Sequence, residues 1–298
     1  MAAITSSDPS SEARNAVPRA GSIRRNLLVT RILSYVALGL AVLLILFPVY
    51  WMLITSLKLP REIYRMPSLW PQVFTLENYR ILLQDKQFLL PIRNSMIVAF
   101  AVTIISVLIS SFAAYSMVRF RYRFKGLIGR LILFAYLTPT SLLFIPLSIL
   151  MAQLGLGNSL HGLILVYLCF SLPLSTWLLQ GYFRGVPREL EEQGMIDGLS
   201  RFGALLRIVL PLSAPGIAAV SIFTFTHAWN ELLLALVLTT SESVRTAPLA
   251  LNYLITSDVL PWGPLMAGAT LSSIPLMILY FIAQRFMVQG MTAGSVKG

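Results

Sequence analysis

Few residues in the apolar blocks of this sequence can ionise, and Glu231 is the acidic residue that lies far inside one. It directly follows Asn230 and stands one helical turn after His227. Ionisable side chains inside a membrane usually contact other protein groups or line a water-filled path. Two interpretations of Glu231 stay open: a role on such a path, or a hydrogen bond that fixes helix packing. We interpret a hydrogen bond between His227 and Glu231 as structural rather than as a proton relay.

Four residues combine an aromatic or polar side chain with a position in an apolar block. A pyranose ring packs its C–H face on an aromatic face, and its hydroxyls need amide or hydroxyl partners. The candidates for such contacts along a substrate pathway are Tyr115, Phe223, His227 and Asn230. Most other aromatic residues in a chain this apolar face lipid, the membrane interface or the packed interior.

No arrangement of residues in the sequence indicates catalysis or a bound cofactor. The chain has one cysteine, Cys169, and two separated histidines, and it contains no Gly-x-Ser-x-Gly or His-Glu-x-x-His motif. The phosphate-binding loop Gly-x4-Gly-Lys-Ser/Thr is also missing from the sequence. We therefore predict that the chain is not an enzyme, that it binds no metal or cofactor itself, and that any ATP is used on a partner.

The composition indicates a membrane protein. Of the 298 residues, 56% are hydrophobic and 12% are charged, whereas about 25% are charged in an ordinary soluble domain. The net charge of +11 does not indicate nucleic-acid binding, because the basic residues lie between apolar blocks without a recognition motif. A helix needs about 20 apolar residues to cross a bilayer. The blocks that meet this length are 32–56, 95–118, 127–152, 160–182, 212–238 and 265–286.

These blocks predict both the fold class and the orientation. Barrel strands are about half as long, so the fold is all-α: a polytopic membrane protein with six transmembrane helices. Most of the 23 basic residues lie before the first block, between the second and third, and after the fourth. Basic loops stay in the cytoplasm, so both termini are expected there, with the chain in the cell (inner) membrane. Residues 1–27 are expected to be a disordered cytoplasmic tail, and 28–298 the transmembrane domain.

The loop at about 184–211, between the fourth and fifth blocks, predicts a short cytoplasmic helix. Pro187 fits its first turn, where acidic residues favour the positive end of the helix dipole. Gly198 breaks the helix, and Asp197 or Ser200 is placed to cap a second one. The acidic cluster consists of Glu189, Glu191, Glu192 and Asp197.

We predict two sides for this short helix and a kink after it. Leu190, Gly194 and Ile196 form an apolar side, and Arg188, Glu191 and Glu192 form a charged side. An amphipathic helix of this kind can dock in a groove of another protein. Pro211 and Pro215 begin the fifth block and predict a kink, which serves either as a hinge or as a static bend.

The loop resembles the cytoplasmic EAA loop of ATP-binding-cassette importer permeases. That loop has Glu-Ala-Ala, then Gly and, further on, a hydrophobic residue followed by Pro. This chain has Glu192-Gln-Gly194, then Gly198, then Leu210-Pro211. Across nearly its whole length the sequence also resembles carbohydrate-importer permeases of the maltose-transporter type. The matching segments include Tyr50–Lys58, Leu76–Tyr79, Asn94-Ser95, Ala113–Phe120 and Trp229–Leu232.

The resemblance implies a permease subunit, surrounded by membrane lipid, of an ATP-driven importer for carbohydrate. It implies three kinds of partner: a second homologous permease, two ATPase subunits that bind ATP and Mg²⁺, and an extracellular solute-binding protein. The residues implied in coupling to the ATPase are Pro187, Leu190, Glu191, Glu192, Gly194, Ile196, Asp197 and Gly198. The alternative is a secondary transporter that uses Glu231 for ion coupling.

Overall fold

Helices follow the apolar runs of the sequence, and the computed structural model is all-α over the residues that it describes, 20–65, 68–255 and 260–294. Residues 1–19 of the predicted tail lie outside those residues. Helix α1 (Ala20–Ser56) contains the first predicted span, and it also includes residues 20–27 of the predicted tail. The chain divides into two units, Met1–Trp51 and Met52–Gly298, and the contacts described below lie within the second.

The second unit is a series of helices joined by short connections. In chain order they are α2 (Pro60–Arg65), α3 (Glu77–Arg80), a π-helical turn (Ile81–Asp85), α4 (Leu89–Arg119), α5 (Lys125–Leu137), α6 (Thr140–Gln153), α7 (Leu160–Arg184), α8 (Arg188–Ile196), α9 (Arg201–Ala204), a second π-helical turn (Leu205–Val209), α10 (Leu210–Leu212), α11 (Ala214–Asn230), α12 (Leu233–Leu238), a 3₁₀ turn (Glu242–Val244), α13 (Ala247–Ile255) and α14 (Trp262–Gly294).

Four helices are long and apolar enough to cross a membrane: α1, α4, α7 and α14. Two bent pairs, α5 with α6 and α9–α10 with α11, raise the number of candidate spans to six when each pair counts as one. The all-α fold with six predicted spans is therefore confirmed, with two of the spans broken.

The third predicted span is not continuous, because α5 and α6 meet at 97°. Thr138 and Pro139 separate them, and both have extended backbone conformations. A residue before proline avoids the helical conformation, and proline cannot donate to the preceding turn. Backbone that leaves the helix at membrane depth is tolerated where protein or a water-filled cavity satisfies it.

The fifth predicted span, 212–238, is wrong at its far end. Helix α11 ends at Asn230, Glu231 is extended, and the separate helix α12 follows. At its near end the bend between α10 and α11 is 79°, at Ser213, which confirms the kink predicted from Pro211 and Pro215. A π-helical turn, Leu205–Val209, ends two residues before Pro211, and such turns often accompany helix kinks.

The core lies where α4 packs against α7 and α11. Its buried residues include Val98, Tyr167, Phe225 and Trp229, and the rings of Phe225 and Trp229 stack at 5.7 Å. Small hydroxyl residues let α4 and α7 approach closely: Thr176 Oγ1 donates to Ser110 Oγ at 3.1 Å. Helix α4 thus contacts both α7 and α11 in the core.

Asparagine side chains hold the loops at the Leu89 end of α4. Asn78 Nδ2 donates to the carbonyls of Ser56 and Lys58, and Asn94 Nδ2 donates to those of Ser243 and Arg245, each at 2.8–2.9 Å. A third asparagine lies at the α6–α7 hairpin. Asn158 Oδ1 accepts from the backbone amides of residues 240 and 241. Neutral amides thus fasten these loops beside charged groups, which include the Arg245–Glu242 ion pair and Lys58, whose Nζ donates to the Ser68 carbonyl.

Candidate functional site

The site is built on α8, whose sequence determines both its ends. Pro187 precedes the helix in an extended conformation, and Glu189 and Glu191 lie in its first turn. Asp197 ends it, and Gly198 has a φ of +93°, a conformation that L side chains rarely adopt. The amide of Leu199 then donates to the carbonyl of Gly194 at 2.9 Å. The predicted helix from Pro187 to Asp197 and its glycine break are confirmed.

A second short helix carries the chain from α8 into the membrane. Ser200 caps α9, because its Oγ accepts from the backbone amide of Gly203 at 3.1 Å. This contact decides between the two predicted caps in favour of Ser200. Helix α8 packs on α9 and on the π-helical turn that follows, so the loop is one folded unit.

The predicted division of α8 into an apolar and a charged side is wrong. Glu191 and Gly194 are its buried residues, whereas Leu190 and Ile196 are exposed, Ile196 by 85%. Gly194 packs closely on Ile208, because a Cβ there would stand 2.5 Å from Ile208 Cδ1 and that side chain would have to shift. The exposed side therefore combines apolar residues with Glu192, which is exposed as well.

Glu191 is buried because α4 supplies partners for its charge. Arg119 Nε donates to Glu191 Oε1 at 2.6 Å, and Arg119 Nη2 also contacts that oxygen. The Tyr115 hydroxyl donates to Glu191 Oε2 at 3.0 Å, and Arg119 Nη2 donates to the Val186 carbonyl at 2.8 Å. A buried carboxylate is tolerated when paired and hydrogen-bonded in this way. We call Tyr115, Arg119 and Glu191 the buried anchor.

The buried anchor connects the loop to a membrane span. Arg119 is the last residue of α4, so a displacement of α8 acts directly on that helix. Around the anchor, Val186, Leu205 and Val209 of the loop pack with Ala114 and Leu179 of α4 and α7. The exposed side of α8, with Leu190, Glu192 and Ile196, faces away from these contacts.

The four predicted substrate-pathway residues do not come together. Tyr115 belongs to the buried anchor, and Asn230 lies exposed at the end of α11. Phe223 and His227 do line one cavity, of about 230 Å³, at the elbow between α5 and α6. Their rings stack, with centroids 6.5 Å apart. The structure thus groups two of the four candidates.

Glu231 caps a helix in the structure. Its Oε1 accepts from the backbone amide of Leu234 at 3.0 Å, in the first turn of α12. Among the hydrogen bonds of the described residues, none joins His227 to Glu231. This geometry matches the structural interpretation of Glu231, a hydrogen bond that fixes a helix, rather than a role on a water-filled path.

Sequence reasoning missed Arg119 and the three asparagines. Arg119 lies in the family-matching segment Ala113–Phe120, but no local pattern links it to its partner Glu191, which is distant along the chain. Asn78 and Asn94 lie in segments that match the permease family, which is the signal that could have indicated them.

Six candidate spans, two of them broken, with an exposed amphipathic helix between the fourth and fifth define a multi-pass membrane transport protein. The chain belongs to the family described as "Binding-protein-dependent transport system inner membrane component", whose model matches residues 106–293. The family that the sequence predicted is confirmed.

Relatives along nearly the whole chain agree with this assignment. The chain is 38% identical to the sulfoquinovosyl glycerol transport system permease protein of Agrobacterium fabrum, over 89% of this chain and 94% of that protein. It is 37% identical to the trehalose/maltose transport system permease protein of Thermococcus litoralis, over 92% and 99%.

A solved structure has a similar fold. It is a chain of a bacterial ABC transporter involved in the import of the acidic polysaccharide alginate, with a TM-score of 0.74 and 22% identity. The alignment covers 88% of this chain and 97% of that chain.

Proposed function

We propose that this chain is one permease subunit of an ATP-driven, binding-protein-dependent importer of carbohydrate. The observation that carries the proposal is α8: an exposed surface that includes Leu190 and Ile196 beside Glu192, fixed to a membrane span by a buried ion pair. Relatives named for trehalose/maltose and sulfoquinovosyl glycerol transport support a carbohydrate cargo.

The partners follow from what the chain itself lacks. Its sequence has no phosphate-binding loop, so two ATPase subunits bind ATP and Mg²⁺ and hydrolyse the ATP, while this chain binds no cofactor. A second homologous permease completes the pathway, and an extracellular solute-binding protein delivers the sugar. Both termini and α8 face the cytoplasm, which the distribution of basic residues supports.

The mechanism assigns each part of the site a task. Closure of the ATPase dimer on ATP moves α8, and the coupling residues from Pro187 to Gly198 move with it. The buried anchor passes that movement to α4, and the bend at Ser213 lets the loop move relative to α11. The spans then rock from inward-open to outward-open, and hydrolysis resets them.

The sequence also left secondary transport open, and this alternative is not supported. Glu231 was its only ion-coupling candidate, and this carboxylate caps α12. Family membership in a binding-protein-dependent system also favours an assembly with partners over a transporter that works alone.

The docking role of α8 is tested by a charge on its exposed side. We expect Ile196→Asp to abolish copurification of the ATPase subunits and ATP-driven uptake in proteoliposomes, because it places a carboxylate on the docking surface. The matched control is Leu76→Asp. Like Ile196, Leu76 is an exposed aliphatic side chain, 68% accessible, but it lies near the other end of α4. Stoichiometric ATPase with Ile196→Asp would refute the docking role.

A further inference from the structure

The ends of three spans and the start of α8 border a hollow with a volume of about 460 Å³. Its cationic side chains come from the last residue of α4, the first of α5, the last of α7 and the first of α8: Arg119, Lys125, Arg184 and Arg188. Because candidate spans end here, the hollow lies at the depth of lipid headgroups rather than inside the hydrocarbon. We call it the basic hollow.

Most of the positive charge in the basic hollow has no acidic partner. Arg119 is paired with Glu191 in the buried anchor. The other three cations donate to neutral oxygens: Lys125 Nζ to the Phe120 carbonyl at 3.0 Å, Arg184 Nη2 to Gln180 Oε1 at 3.3 Å, and Arg188 Nη2 to the Val118 carbonyl at 3.5 Å. Within the described part of the chain, none of these three cations belongs to an ion pair.

The balance of charge in the basic hollow favours an anionic ligand. Its lining among the described residues includes one acidic side chain, Glu189, which is exposed. Three cations without an acidic partner against this one carboxylate leave a net charge of +2. Lysine carries three donors and arginine five, so each cation keeps donors for a ligand beyond the one bond it makes.

An apolar groove continues from the basic hollow along α7. Arg184 lines both of them, and the groove has a volume of about 510 Å³. Trp177 and Tyr182 line the groove and are 54% and 43% exposed. Gly181 adds open space, since a Cβ there would meet no atom within 4 Å. Exposed Trp and Tyr are typical of the boundary between hydrocarbon and headgroups.

We propose that the basic hollow and this groove together bind one anionic phospholipid. Its phosphate accepts from Lys125, Arg184 and Arg188, and the first part of an acyl chain lies in the groove beside Trp177. Arginine binds phosphate through two parallel hydrogen bonds, and lysine binds it as a point charge. Basic pockets between membrane helices hold anionic headgroups in this way.

The groove favours a lipid over other anions. A free phosphate or an acidic side chain of a partner protein would neutralise the cations but leave the apolar groove beside them uncovered. A phospholipid covers both, because its phosphate and its acyl chains extend from opposite sides of one glycerol. Its contact with Arg188 also joins α8 to the ends of α5 and α7, so the lipid stabilises the docked position of α8.

Quenching of Trp177 fluorescence tests the site in membranes. The full chain, with the subunits that copurify, is placed in phosphatidylcholine vesicles that contain a small fraction of phosphatidylglycerol brominated on its acyl chains. Bromine quenches an indole in contact with it, and the difference between wild type and Trp177→Phe gives the signal of Trp177. Each net charge contributes about fivefold, so phosphatidylglycerol should bind roughly 25-fold more tightly than brominated phosphatidylcholine.

Charge-matched variants show whether the basic hollow causes this preference. Arg184→Gln should lower it about fivefold, and the double variant Arg184→Gln with Arg188→Gln should remove it. The control is Arg121→Gln with Arg130→Gln, two exposed arginines that line neither the hollow nor the groove. If Arg184→Gln does not assemble, Lys125→Gln takes its place. Equal quenching by the two brominated lipids, or an equal loss in both double variants, would overturn the site.

Two further arms identify the source of the anion. Inorganic phosphate in large excess should not relieve the quenching, and relief would show that the hollow takes a free phosphate. Loss of copurifying ATPase from the double variant, with an unchanged lipid preference, would place an acidic side chain of the ATPase there and overturn the lipid. Both leaflets of the vesicle contain the lipid and no cargo is used, so the test stands apart from the proposed import of carbohydrate.

Hydrogen exchange of the α8 amides gives a second readout. We expect α8 to exchange about fivefold more slowly in vesicles with phosphatidylglycerol than in phosphatidylcholine alone, because detachment of α8 removes Arg188 from the phosphate. Arg188→Gln should abolish this difference, whereas Arg130→Gln should keep it. Equal exchange of the wild-type chain in both kinds of vesicle would contradict the contact between the lipid and α8.

Discussion

Removal of the Glu191 carboxylate should release α8 from the membrane spans. The Arg119 and Glu191 side chains are only 8% and 6% exposed, so Glu191→Ala leaves a guanidinium buried without its counter-charge. Breaking such a pair costs about 3–5 kcal/mol. We expect the lower limit, about 3 kcal/mol, because Arg119 keeps its hydrogen bond to the Val186 carbonyl.

That free energy corresponds to an increase on the order of a hundredfold in the population of detached α8. Hydrogen exchange of the α8 amides, measured on the permease in detergent micelles, reports this population directly. Glu191→Gln keeps the shape and one acceptor oxygen, which can accept from Arg119 while the amide NH2 donates to the Tyr115 hydroxyl oxygen, so its effect should be smaller.

Glu192→Ala is the matched control, because Glu192 is the next residue and is exposed. A surface substitution of this kind changes stability by no more than about 0.5 kcal/mol. Equal exchange rates in Glu191→Ala and Glu192→Ala would refute the argument that the buried anchor holds α8.

Three further predictions concern the loop, the topology and the helix cap. Gly198→Asp should insert normally but reduce ATPase copurification and uptake, because a φ of +93° costs a side chain about 1–2 kcal/mol; Gly198→Asn should do less harm. In a Cys169→Ser chain, a cysteine at Glu192, the exposed neighbour of Glu191, should resist impermeant reagents applied outside cells, and one at Trp70 should react. The reverse pattern would invert the topology. Glu231→Gln should lower ATP-driven uptake only modestly and Glu231→Leu more, by loss of a cap worth about 1 kcal/mol; uptake that an ionophore abolishes would contradict this.

The sequence predicts helices well here but their breaks poorly. Pro48, Pro146, Pro173 and Pro275 all lie inside continuous helices, whereas Pro139 separates two. Neighbouring helices can satisfy the groups that an intramembrane proline frees, so proline alone does not locate a break. At the elbow Pro139 and the extended Thr138 coincide with the break, but the sequence does not distinguish Pro139 from the prolines that continuous helices tolerate.

The break after α11 has a signal in the sequence, but the hydropathy of the surrounding block hides it. Glu231 precedes an apolar run, the pattern of a helix start, yet the block 212–238 is apolar enough to suggest one span. The ends of α8, by contrast, are predictable because Pro187, Gly198 and Ser200 act locally.

The buried side of α8 could not be predicted for a different reason. Amphipathic periodicity groups residues by polarity, and it places Glu191 with the exposed charges. Its burial depends on Arg119, whose approach is set by the packing of α4 against α7. Contacts of this kind, between residues far apart in the sequence, are recognised only in the tertiary structure.

The asparagine fasteners at the loops have a consequence for the conditions in which the protein works. An amide side chain does not titrate, and its hydrogen bonds to backbone carbonyls and amides are not weakened by ionic screening as exposed ion pairs are. Asn78, Asn94 and Asn158 therefore hold their segments equally well across wide changes in acidity and salinity. A transport protein whose loops are fixed in part by such amides keeps these contacts when the acidity or the salinity around it changes.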